Sequence, residues 1–143
     1  SGNVKLAMSH VVPDLVQKIL KGQNPLRILG SGKQIRNYTY AGDIAEAIRI
    51  SLTEVKAKNT SINISTDYKI SVLELAKKIW KILNPGKKFK YISEKPYKYD
   101  VQRRIPSVNK AKKILNFSAN TSLDSILEEV IPWVKQMVKE KKI

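Results

Sequence analysis

The chain is predicted to fold as a mixed α/β domain, with five main helices joined by short strands. Three observations carry that prediction. Apolar residues recur at helical spacing in five stretches, shorter runs alternate with a period of two, and Gly, Pro or Asn punctuates most boundaries. At 143 residues, 42% hydrophobic and 27% charged, the chain can bury a real core. No apolar run approaches the ~20 residues needed to span a bilayer.

The absence of cysteine excludes a disulfide framework and a thiolate metal site. The single histidine, His10, argues against a histidine metal cluster or a Ser-His-Asp triad. Ser1 to His10 lacks the apolar centre of a signal peptide, so a cytoplasmic protein with no membrane partner is expected. The net charge of +15 raises an anionic partner. Between Ala76 and Leu115 stand thirteen Lys or Arg residues against Glu94 and Asp100. A basic nucleic-acid-binding domain is therefore the first alternative. It is disfavoured because only five of the 27 basic residues are Arg, and no helix-turn-helix, zinc-finger or RNA-binding aromatic signature is present.

In chain order, His10-Val11-Val12-Pro13-Asp14 leads into a helix with Leu15, Val16, Ile19 and Leu20 as its apolar stripe and Gly22 at its end. Asn24-Pro25 makes a turn, and Leu26-Arg27-Ile28-Leu29 reads as a short strand. Gly30-Ser31-Gly32-Lys33 superficially resembles a phosphate-binding loop, but Arg27 stands where that motif needs Gly, and Gln34 where it needs Ser or Thr. The run from Gln34 to Tyr40 alternates, placing Arg36 on one strand face with Tyr38 and Tyr40. Asp43 is expected to cap a helix carrying Ile44, Ala47, Ile48 and Leu52. Ser61 to Ser65 alternates as a strand. Ser71 and Glu74 form a capping box for a helix with Leu73, Leu75, Ala76, Ile79, Trp80 and Leu83 on its inner side. Phe89 to Ile92 is a further predicted strand. Ser107 is expected to open a short helix holding Val108, Ala111, Ile114 and Leu115, and Thr121 to Asp124 a last one with Leu123, Ile126, Leu127, Val130 and Ile131 buried, in which Pro132 should produce a kink or a break.

Arg36 is the strongest candidate for binding chemistry, because a guanidinium can donate two parallel hydrogen bonds to a phosphate. Tyr91-Ile-Ser-Glu-Lys95 has the Tyr-x-x-x-Lys spacing of a hydride-transfer pair, but a strand-like segment running into Pro96 argues against the helix such a pair requires.

Strung together, five segments resemble the C-terminal part of the extended short-chain dehydrogenase/reductases, the NAD-dependent nucleotide-sugar epimerase/dehydratase family. They are His10-Val11-Val12-Pro13, Asn24 to Gly32, Gln34 to Asp43, Ile62 to Thr66 with Ser71 to Ile79, and Asn109 to Leu115 with Thr121-Ser122-Leu123. The resemblance runs from about His10 to Val138. It implies a C-terminal substrate lobe plus the last elements of a Rossmann-type domain, with residues 1–143 as a single substrate-binding region and the cofactor-binding Rossmann domain outside it. It implies that Arg36 binds the diphosphate of a UDP-, dTDP- or GDP-linked sugar. Lys95 supplies a second cation, and Arg103 or Arg104 matches the paired arginine of GDP-sugar relatives, with Arg103 taken as the site residue. His10, Val11, Arg27 and Leu29 would border the base, and Tyr38 the ribose or sugar. NAD or NADP, held by the full-length protein and not by this chain, would oxidise the sugar transiently and so permit epimerisation or dehydration. No catalytic, cofactor-binding or metal-binding residue is expected here, and the chain alone would be inactive. Exposed Rossmann-side elements imply self-association or a homo-oligomer. A noncatalytic interaction module on the same fold is the other alternative.

Overall fold

The computed structural model describes residues 10–96 and 98–142. Among these lie five α-helices and four short strands: α1 (Val11–Leu20), β1 (Leu26–Leu29), β2 (Ile35–Arg36), α2 (Ala41–Thr53), β3 (Ile70–Ser71), α3 (Val72–Leu83), β4 (Tyr91–Glu94), α4 (Asn109–Leu115) and α5 (Leu123–Lys139). The mixed α/β class follows, with the expected number of helices. The chain divides into two compact units. The first comprises the residues up to Gln34, Ser71–Gln102 and those from Leu127 on; the second comprises Ile35–Ile70 and Arg103–Ile126.

In the first unit α1 packs on α3, each burying the stripe that its apolar spacing dictates. Leu15, Val16, Leu75 and Ile79 are buried there together with Leu26 and Ile28 of β1 and Leu127 and Val134 of α5. The capping box forms as the sequence predicts. Ser71 Oγ accepts the Glu74 N–H at 3.1 Å, while Glu74 Oε2 accepts the Ser71 N–H at 2.9 Å. β1 and β4 make a two-stranded parallel sheet with Leu26 opposite Tyr91 and Leu29 opposite Glu94. The fourth strand thus begins two residues later than Phe89, because its limits are set by where β1 can pair. α5 continues through Pro132 as one helix. Buried Leu127, Ile131 and Val134 around the proline hold the turn together despite the missing N–H.

The second unit has a leaner core, built on Ala47, Ala111 and Ala119 with Leu115, Leu123 and Ile126. β2 pairs with β3, whose Ile70 belongs to the same unit. Three local expectations are corrected here. Asp43 does not cap α2: the helix starts at Ala41, with Tyr40 as its N-cap and no side-chain bond. The Asp43 carboxylate is instead taken up by Thr121, whose Oγ1 and N–H donate to it at 2.8 and 3.1 Å. Ser107 does not open α4, whose N-cap is Val108. The run from Ser61 to Ser65 has no ladder partner among the described residues and is no strand, although exposure alternates from Ser61 to Ile64 before buried Ser65. Alternation shows that one face is covered; only a neighbouring strand makes a ladder.

Candidate functional site

In the second unit, β2 is too short to orient Arg36, Tyr38 and Tyr40 as one strand face, and the alternating run leaves the ladder after Arg36. Side chains hold the rest extended. Asn37 Nδ2 donates to the Thr66 and Tyr68 carbonyls at 2.8 and 3.0 Å. Thr39 Oγ1 accepts the Thr66 N–H at 3.1 Å and meets Ser65 Oγ at 3.3 Å. At Gly42 a Cβ would meet the ring of Tyr40, which would have to move aside.

Beside β2 runs the segment that carries the paired arginines. Ile35 bridges Arg103 in parallel fashion, and the Arg104 N–H donates to the Ile35 carbonyl at 3.3 Å. Arg36 is half-buried, and its Nη1 donates to the Ile35 carbonyl at 2.8 Å. Arg103 and Arg104 are exposed and make no ion pair among the described residues. The Tyr38 hydroxyl is buried and has no hydrogen-bond partner among the described residues. Burial pushes its pKa up to about 12, against the opposing pull of the Arg36 and Arg104 charges. Two guanidinium charges, Arg36 and Arg104, thus act on a phenol that burial keeps protonated. The planar fork of a guanidinium suits phosphate oxygens.

The first unit holds the other sequence candidates. Arg27 extends from the exposed side of β1, with its Nη1 3.2 Å from Glu94 Oε1, and so already has a carboxylate partner. Lys95 follows β4 directly and is exposed. His10 is the N-cap residue of α1 without a side-chain capping bond. Val11 is exposed, and Leu29 is half-buried. Tyr91 lies in a strand, so Tyr91 and Lys95 lack the helical geometry of a catalytic pair.

Arg104, which the sequence offers only as the alternative to Arg103, is the one whose charge acts on Tyr38, and the sequence did not point to the bond from Thr121 to the Asp43 carboxylate. Neither has a local signal, since each acts on residues far away in the chain. The Gly30–Gly32 turn makes no dinucleotide cradle: a Cβ on Gly32 would stand 3.1 Å from Leu73 Cβ and 3.4 Å from Ile28 Cγ2. The backbone then runs into β2 and not into a helix N-terminus. Gly32 thus serves close packing. No group of three or more potential metal ligands occurs among the described residues, and no helix there is long and apolar enough to cross a membrane.

Comparison with known proteins agrees with this architecture. A sequence profile of the GDP-mannose 4,6 dehydratase family matches residues 4–130. The chain belongs to this family, among the NAD-dependent nucleotide-sugar epimerases and dehydratases. UDP-N-acetyl-alpha-D-glucosaminuronate decarboxylase of Bacillus cytotoxicus is 30% identical over 131 residues, covering 89% of this chain and 40% of that protein. The structure of UDP-glucose 4-epimerase from Thermotoga maritima with UDP-glucose superposes with a TM-score of 0.79 at 25% identity, over 91% of this chain and 40% of that one. UDP-glucuronic acid 4-epimerase from Bacillus cereus, in complex with UDP-glucuronic acid and NAD, gives 0.80 at 26% identity, over 90% of this chain and 40% of that one. This chain spans about two fifths of the length of these relatives.

Proposed function

We propose that this chain is the nucleotide-sugar binding portion of an NAD- or NADP-dependent sugar epimerase/dehydratase, and that it carries out no hydride chemistry by itself. The observation that supports this reading most is that the charges of Arg36 and Arg104 both act on Tyr38, with the Arg103–Arg104 segment bridged to Ile35. Arg36 grips the diphosphate, Arg104 adds the second cation, and the Tyr38 hydroxyl, uncharged at neutral pH, donates toward the ribose or sugar. The roles of His10, Val11, Arg27, Leu29 and Lys95 at the nucleotide rest on the resemblance alone. A UDP-linked sugar is favoured, since the B. cytotoxicus decarboxylase and the T. maritima epimerase are named for UDP-sugars. In the full-length protein, NAD or NADP supplies the hydride chemistry. A cytoplasmic location and association between copies complete the proposal. Calorimetric titration with UDP tests it. Arg36→Ala is expected to weaken binding by about 10- to 100-fold, the scale of one hydrogen bond to a charged group. Equal affinity in the two proteins would overturn the reading.

A further inference from the structure

β4 borders a two-stranded sheet whose far side no strand covers among the described residues. The Leu26 N–H donates to the Lys90 carbonyl and the Gly30 N–H to that of Glu94. Alternate residues of β4 therefore turn their peptide groups toward β1, and Tyr91 and Ser93 turn theirs away. Among the described residues no strand pairs with that outer edge. Tyr91, Ile92 and Ser93 are all exposed.

The edge is firmly held. Trp80 Nε1–H donates to the Lys87 carbonyl at 3.0 Å. Phe89 meets Trp80 edge-on and stacks on Tyr91, with ring centroids 5.8 Å apart in both pairs. An incoming backbone would thus find preformed N–H and C=O groups and meet little ordering cost. Lys87, Lys88 and Lys90 lead into the strand and Lys95 follows it. All four are exposed, and none has an ion pair among the described residues. The acid on the strand itself, Glu94, is engaged by Arg27.

We propose that the outer edge of β4 binds an extended acidic segment of a partner protein by strand addition, with the flanking lysines meeting its carboxylates. The groups on offer are alternating donors and acceptors. A polypeptide backbone matches both, whereas a phosphodiester has no donor for the carbonyls. A second copy of this chain would bring the same lysines face to face, and like charges oppose edge pairing.

Amide hydrogen exchange and fluorescence polarisation test the proposal with a capped peptide alternating Glu and Val. A peptide alternating Lys and Val and an oligo-dT serve as controls. The acidic peptide is expected to protect the Tyr91 and Ser93 amides, and the Lys peptide to bind at least about tenfold more weakly. Ser93→Pro, which removes an outward N–H, should abolish binding. Lys87→Glu combined with Lys88→Glu and Lys90→Glu, all on exposed side chains, should lower affinity about tenfold or more. Protection confined to other amides, equal binding of the two peptides, binding of oligo-dT alone, or edge pairing between copies in place of peptide would each overturn it.

Discussion

A phenol buried beside guanidinium groups is pulled two ways, and at Tyr38 burial wins, raising its pKa to about 12 despite Arg36 and Arg104. The folded state therefore holds this proton more firmly than the unfolded chain, where tyrosine titrates near 10. The stability that Tyr38 contributes is fully present below about pH 10 and is lost as the pH rises from there through about 12. Ultraviolet titration of phenolate should show a late component that Tyr38→Phe removes; identical curves would contradict the burial of this hydroxyl. Arg36 was legible in the sequence because it stands in an alternating run behind a glycine turn. The place of Arg104 was not, because the bridge from Ile35 to Arg103 joins residues far apart in the chain. Local patterns name a residue type and a face, and tertiary pairing decides which neighbour shares it.

At the scale of elements, α3 was fully legible, since Ser71 and Glu74 are in the same turn and cap each other without outside help. Asp43 and Ser107 have the same capping chemistry and failed as caps. Thr121 captured the Asp43 carboxylate, a competition that no local window reveals. The Ser61 to Ser65 run alternates only as far as Ile64, and no strand lies beside it among the described residues. Ser71→Ala should destabilise the fold by about 1 kcal/mol at neutral pH, read by denaturant unfolding, and an unchanged midpoint would count against the box. The hydrogen bonds from the Ser71 hydroxyl and backbone hold the Glu74 carboxyl below its ordinary range. Its contribution is thus present above the usual carboxylate pKa and lost as the pH falls through the lowered value. In Ser71→Ala that acid-side loss should begin nearer the ordinary carboxylate range.

The whole molecule combines a charge of +15 with an uncovered apolar face. On α2 and the turn after it, Ile48, Leu52 and Val55 are 54, 81 and 83% exposed. Next to them a recess of about 240 Å³ is lined by Ala47, Ile48, Ser51, Ile62, Ile64 and Leu115. Such a face calls for a cover, and the chain matches only 40% of the B. cytotoxicus decarboxylase. Light scattering should show concentration-dependent association that Leu52→Glu with Val55→Glu suppresses. A monodisperse monomer at high concentration, or undiminished association of the variant, would contradict this. The central claim, that paired arginines beside Tyr38 grip a diphosphate, is tested most directly by comparing UDP with UMP in the wild type and in Arg36→Ala/Arg104→Ala. The account predicts tighter binding of UDP, an advantage that disappears in the double variant; equal affinity for UMP and UDP in the wild type would contradict it.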